Sequence, residues 1–253
     1  MHDTVREFKR YLERRYPNSS TAKHYVNDLR VARRLIDKPV AEVKSGDIGA
    51  FVEDQLTQGL SATTVNRRLA SLRHYFEFLA HQAGDDDWDN PVVWRFHRVS
   101  EPKRLPRDVS EGALRCLFAH IDHPRDRLMF RLMVSAGLRV GEVAALRLQD
   151  YIPYPHAVHA RLRVRGKGDK ERVVPLTSDL VQLWSTWSDE RPSVRSDAVF
   201  VTRRKRGISV RGIQDRLAHY ARRAGIAVTC HQLRHTFGRR MAEGQMPLPS
   251  LSK

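Results

Sequence analysis

Three stretches within the first ninety residues repeat apolar side chains at the 3.6-residue spacing of a buried helix face. Val5 to Arg15 forms the first and Ser20 to Ile36 the second, the latter with Tyr25, Leu29 and Ala32 spaced for burial. The clearest opens at Ser61-Ala62-Thr63-Thr64, where a hydroxyl can cap the free amides, and places Val65, Leu69, Leu72, Phe76 and Leu79 on one stripe. Its other face carries Asn66, Arg67, Arg73 and His74, a compact polar set shaped for a DNA major groove. A solvated charged face accounts for the same four residues equally well. Ala83 to Pro91, with a glycine, a proline and four aspartates, ends this region because no helix continues through it. From Pro91 to Arg107 the chain is basic and interrupted by Pro102 and Pro106, which predicts an interdomain linker that runs along a phosphate backbone through Lys103 and Arg104.

Beyond the linker, Ser110 to Ile121 and Asp126 to Ala136 read as helices, Gly137 stops the second, and another starts near Val140. After Pro153 and Pro155 the period changes to two. Val158, Ala160, Leu162 and Val164 alternate with His159, Arg161, Arg163 and Arg165, Gly166 to Lys170 turn, and Glu171 to Leu176 return, so a β-hairpin with a basic face is predicted. Helices resume near Ser178 and Val210, separated by a short strand at Ala198–Val201 and a basic turn. In that turn Arg203, Arg204 and Lys205 are expected to touch phosphates without reading sequence. The predicted fold is mainly α with a small antiparallel sheet. It is divided into a helical domain over 1–90, a linker over 91–107 and a mixed α+β domain over 108–253, the two domains gripping a duplex as a clamp.

Composition narrows the partner. The 253 residues carry 45 Lys+Arg against 29 Asp+Glu, a net charge of +16. Residues 1–106 hold 18 basic and 15 acidic groups, whereas residues 161–253 hold 20 and 8, so the excess is a local footprint of the kind that neutralises phosphates. A hydrophobic content of 41% separates the chain from disordered basic tails. No apolar run reaches the roughly twenty residues of a membrane span, and the N-terminus lacks a signal-peptide core. A soluble, cytoplasmic, nucleoid-associated protein is therefore expected. Cys116 and Cys230 suggest neither a disulfide framework nor a zinc site. His120 and His123, spaced like metal ligands but without a third partner, read as surface residues. There is no His-Glu-x-x-His, acidic metal cluster or Walker loop, so neither a metal nor another cofactor is expected.

Three short patterns in the basic half combine. Ala136-Gly137-Leu138-Arg139-Val140-Gly141-Glu142 sets an arginine in a tight break between helices with a carboxylate three residues on. Gly166-Lys167-Gly168-Asp169-Lys170-Glu171-Arg172 sets lysines at a hairpin tip. His231-Gln232-Leu233-Arg234-His235-Thr236-Phe237 places His231 and Arg234 on one helix face. In order, wording and separation these patterns resemble the tyrosine recombinase (phage integrase) family, particularly its bacterial and transposon-borne members. The resemblance covers most of the chain.

That resemblance implies a helical core-binding domain and a catalytic domain that cut and rejoin duplex DNA. By the same resemblance Arg139 and Arg234 bind the scissile phosphate, Lys167 is the general acid, His231 is a base or phosphate donor, and Glu142 supports Arg139. The chemistry suits these residue types. A pentacoordinate phosphorus gathers negative charge that guanidiniums bind through paired hydrogen bonds, a lysine can protonate the departing 5′ oxygen, and a near-neutral histidine can hold a proton. Lys170 is the rival to Lys167 if the turn is placed differently, Lys170 and Arg172 otherwise read as solvated or phosphate-contacting, and His235 reads as a packing or orienting residue.

The family's nucleophile is a tyrosine beyond the His-x-x-Arg helix that forms a 3′-phosphotyrosyl link and conserves the bond energy for rejoining. Here the seven tyrosines are 11, 16, 25, 75, 151, 154 and 220, all upstream, with Tyr220 spaced to pack with Ile213 and Leu217. The expectation is a C-terminally truncated recombinase that binds DNA without cleaving it. Its parent forms a homo-oligomer on DNA, a tetramer, while this chain is a monomer or a weak complex. A non-catalytic DNA-binding regulator and a type IB topoisomerase-like enzyme remain open alternatives.

Overall fold

The computed structural model describes residues 2–17, 19–85, 88–101, 109–154, 159–166 and 170–244. The chain divides into two compact units, Met1–Arg104 and Leu105–Lys253.

The first unit holds helices α1 (His2–Arg15), α2 (Thr21–Ile36), α3 (Ser45–Thr57), α4 (Ala62–Ala83) and the single turn α5 (Trp94–His97). Ser61 caps α4 by accepting the Thr64 amide, and Gly84 ends it with a left-handed φ of 67°. The α4 stripe of Val65, Leu69, Leu72 and Phe76 meets Phe8, Leu12, Leu29, Ile48 and Phe51 in one apolar core. Sequence reading did not single out α3, whose first five residues include two glycines, Gly46 and Gly49, and whose apolar residues form no clean stripe, Leu56 being exposed.

The linker expectation is corrected for its first eleven residues, 91–101. Val92 is buried in the helical core, and His97, also buried, accepts the Val93 amide at Nδ1 while its Nε2 lies 3.1 Å from the Ser45 carbonyl. Residues through Glu101 therefore belong to the helical unit; Lys103 and Arg104 lie outside the described residues.

The second unit is built around α7 (Pro124–Ser135), where Leu128, Met129, Phe130, Leu132 and Met133 are fully buried. The other helices are α6 (Glu111–Ala119), α8 (Val140–Ala145), α9 (Ser178–Glu190), α10 (Val210–Arg223) and α11 (Cys230–Glu243), with α9 and α11 packed against α7. Three antiparallel strands run in the order β1 (Tyr151–Pro153), β2 (Ala160–Arg165) and β3 (Glu171–Leu176). The predicted hairpin is present, with Ala160, Leu162 and Val164 buried and the β2 arginines between them; β1 was not foreseen because three residues carry no readable alternation. Ala198–Val201 makes only isolated bridges, to Arg147 and Gly207, instead of a strand.

A buried polar knot braces α7 against α10. Asp126, fully buried, accepts from Arg125 and Arg216, and the Tyr220 hydroxyl lies 3.0 Å from Asp122 and 3.1 Å from Asp126. Burial, followed by the Asp126 charge, pushes the Tyr220 phenol up to about 12. A phenol raised in the folded state stabilises the fold below its unfolded value near 10, and that contribution is lost as pH rises towards about 12. Tyr220→Phe should therefore flatten the alkaline limb of stability measured by urea unfolding between those values and cost about 1–3 kcal/mol at neutral pH. An unchanged alkaline limb would exclude this linkage.

Candidate active site

The break between α7 and α8 is where the first arginine sits. Gly137 takes a left-handed φ of 67°, and a Cβ there would run into the Phe237 ring of α11, with Cε1 only 2.6 Å away. Only glycine allows this approach. It brings the arginine-bearing turn against the helix that carries His231 and Arg234.

Arg139 is the residue before α8, and Glu142, in the third helical position, reaches back to it in a capping arrangement. Glu142 Oε2 accepts the Arg139 backbone amide at 2.7 Å, and Oε1 accepts Arg139 Nη1 at 3.0 Å. The supporting contact expected of Glu142 is thus present as a geometry. A residue that sequence reading left as solvated or phosphate-contacting completes it. Arg172, on β3, donates Nη1 to Oε1 and Nη2 to Oε2, both at 2.8 Å. This corrects the solvated reading. The signal was available, since Arg172 pairs with buried Val164 and shares a strand face with Val174 and Leu176. Burial pushes the Glu142 carboxyl up, but the Arg172 hydrogen bonds, the Arg139 amide and the Arg172 charge outweigh it, and the group sits below the ordinary carboxylate range.

α11 begins with Thr229 and Gln232 in a capping box, which fixes the first turn and aims His231 and Arg234 to the same side while Cys230, Leu233 and Thr236 are buried. Arg139, His231 and Arg234 then line one cleft of about 600 Å³, together with Arg211, Gln214 and Asp215 of α10. The α10 residues follow helical spacing opposite the buried stripe of Ile213 and Tyr220, a face the sequence reading did not consider. Desolvation and then repulsion from Arg139 pull the Arg234 guanidinium below its usual value. Desolvation, then His235 and Arg234, lower His231, which favours the neutral imidazole. His235 is an orienting partner in geometry, its Nε2 lying 2.7 Å from that of His231.

Lys167 lies outside the described residues, but the loop that carries it is closed by the Gly166 amide donating to the Lys170 carbonyl at 2.8 Å. Arg203, Arg204 and Lys205 are exposed in a tight turn before α10, Lys205 at φ 59°.

The polar face expected on α4 is corrected. Asn66 is only 6% exposed, its amide bonded to the Val99 carbonyl at 2.8 Å and to Glu101 at 2.7 Å. Arg67 pairs with buried Asp28, Arg73 pairs with Glu77 at 2.9 Å, and His74 lies among the Phe8, Tyr11 and Tyr25 rings. Asn66, Arg67 and His74 are thus tied to other segments of the helical unit, while Arg73 makes an exposed pair within α4, so the four do not form one open surface. His123 likewise has a local task, accepting the Arg125 amide at the start of α7. Among the described residues no group of three or more metal-ligating side chains is present, and no helix is long and apolar enough to cross a membrane.

A helical unit, followed by a mixed unit in which a break arginine and a His-x-x-Arg helix share a basic cleft, defines the tyrosine recombinase class. The comparisons agree: the phage integrase family matches residues 107–253, its N-terminal SAM-like domain matches residues 5–83, and the chain belongs to that family. It is 28% identical over 274 residues to the tyrosine recombinase XerD of Listeria monocytogenes serotype 4b (strain F2365), covering 100% of this chain and 89% of that protein. It is 34% identical over 208 residues to the tyrosine recombinase XerD of Proteus mirabilis, covering 76% and 63%. Among solved structures, the XerH site-specific recombinase bound to palindromic difH substrate superposes with a TM-score of 0.76 at 18% identity, over 96% of this chain and 85% of that one. The last likeness shows the fold alone.

Because Gly137 joins the two arginine-bearing segments, Gly137→Ala should destabilise the second unit by roughly 2–5 kcal/mol, from left-handed strain plus overpacking against Phe237. Urea unfolding measures this, and a stability within error of the wild type would show that the close approach is dispensable.

Proposed function

We propose that the chain is a site-specific DNA recombinase component whose cleft holds one phosphodiester of a bound duplex. The observation that carries this reading is the convergence of Arg139, His231 and Arg234, nearly a hundred positions apart in sequence, on a single basic cleft. With Arg211 paired to Asp215, the Arg139 and Arg234 guanidiniums share one buried carboxylate among the described residues, Glu142, which leaves N–H groups and positive charge for an anion. In this reading Arg139 and Arg234 bind the non-bridging oxygens and stabilise the charge that grows on them as phosphorus becomes pentacoordinate. His231, held neutral, accepts or shares the nucleophile's proton, and Lys167 from the hairpin tip protonates the departing 5′ oxygen. A tyrosine oxygen attacking phosphorus would form the P–O bond of a 3′-phosphotyrosyl link while the P–O5′ bond breaks. The basic turn at Arg203, Arg204 and Lys205 adds backbone affinity.

No described tyrosine lines the cleft: Tyr220 is buried against Asp126, and Tyr151 stacks on Trp184 with ring centroids 4.6 Å apart. We therefore propose that this polypeptide binds DNA, in the cytoplasm and as a monomer or weak complex, without forming the covalent intermediate. The same feature supports a second reading, a DNA-binding regulator that uses the cleft without chemistry.

The test uses a duplex selected by the chain from a random library, nicked at its centre as a suicide substrate. Binding should weaken linearly with log salt, by a slope of about −0.9 for each phosphate contacted. Arg139→Ala and Arg234→Ala should each weaken binding about 10- to 100-fold, as loss of charge-assisted hydrogen bonds implies. No DNA should remain attached after detergent. Protein-linked DNA would overturn the non-covalent proposal, and unchanged affinity in both arginine variants would overturn the phosphate cleft.

A further inference from the structure

The Glu142 carboxylate presents about four acceptor positions, and the structure fills them all. Oε1 is shared by Arg139 Nη1 at 3.0 Å and Arg172 Nη1 at 2.8 Å, and Oε2 by the Arg139 backbone amide at 2.7 Å and Arg172 Nη2 at 2.8 Å. Arg172 thus takes the two-pronged, side-on pairing that arginine and carboxylate favour. Arg139 is left with one side-chain bond to the same carboxylate. Its guanidinium side chain is 57% exposed, against 5% for Glu142 and 31% for Arg172. An isolated arginine three residues before a buried carboxylate would turn both prongs onto it. The arginine of β3 occupies that place first.

We infer that Arg172 is a positioning residue: by holding Glu142 side-on, it keeps the Arg139 guanidinium turned to the cleft and free to bind phosphate. The inference rests on the phosphate-cleft reading above. It also ties the hairpin to the cleft, because Arg172 lies two residues beyond the loop closure at Gly166 and Lys170. A Cβ at Gly166 would stand 3.8 Å from Arg172 Nη1 and 3.9 Å from Glu142 Oε1, so the neck of the hairpin rests on this ion cluster. The charge of Arg172 is felt in the cleft as well, since it contributes to lowering Arg234. Position and charge are therefore separable only by keeping one while removing the other.

The experiment titrates inorganic phosphate into the whole chain and follows the arginine Nε–H resonances by NMR, with thermal melting of each variant as a check on folding. In the wild type, the Arg139 and Arg234 resonances should move on one saturable curve while that of Arg172 stays with Glu142. Arg172→Lys keeps the charge but cannot pair side-on, and Arg172→Gln loses both. Each should raise the phosphate dissociation constant about tenfold, a change of about 1.4 kcal/mol, and should shift Arg139 before any phosphate is added. If the wild-type Arg139 and Arg234 do not respond to phosphate, the cleft reading itself fails. If they respond but Arg172→Lys binds as tightly as the wild type, Arg172 acts by charge alone and the positioning inference is overturned. A wild-type Arg172 resonance that follows the same curve as Arg139 would overturn it without recourse to any variant.

Discussion

The second unit depends on one buried carboxylate among like charges. Arg139 and Arg234 line one cleft with Arg172 close by, and the charges of Arg139 and Arg172 both bear unfavourably on the Arg234 guanidinium. Glu142, 5% exposed and filled by hydrogen bonds from two sides, is the counter-charge that lets them gather. Without it, the break at Gly137 would still set Arg139 near α11, but nothing would hold its guanidinium against repulsion from Arg234. With it, a surplus of positive charge stays at the cleft beyond what the described carboxylates there balance. In the proposed reading a phosphodiester supplies the balancing charge.

The apolar architecture serves that arrangement. α7, packed against α8, α9, α10 and α11, is the post from which the Gly137 break projects, and Phe237 packs into the space that a missing Cβ leaves. The knot of Asp126, Arg216 and Tyr220 fixes α10, whose outer face completes the cleft. In the first unit, polar side chains do comparable internal work, with Asp28 bound to Arg67 and Ser71, and Asn66 bound to the chain that leaves the bundle.

Much of this was legible in the sequence where periodicity is strong. The α4 stripe with its Ser61 cap, the β2 alternation, and the Gly137 stop each follow from a local rule that tertiary structure does not override. The meeting of Arg139 with His231 and Arg234 came from motif resemblance, since no local rule joins residues so far apart. Reading failed where a polar residue's partner lies far off in sequence. Asn66 and Arg67 have the look of a recognition face, yet their partners, Val99, Glu101 and Asp28, are 33 or more positions away. Arg172 was missed although its strand parity points inward, because an arginine beside a lysine-rich turn is more readily taken as solvated. β1 and α5, at three and four residues, are too short to carry a period.

A crystal structure of the chain with a duplex it has selected is the most direct measurement. The account predicts a single phosphate bonded by Arg139, His231 and Arg234, with Arg172 still side-on to Glu142. A duplex lying across other surfaces, with no phosphate in contact with those three side chains, would contradict it.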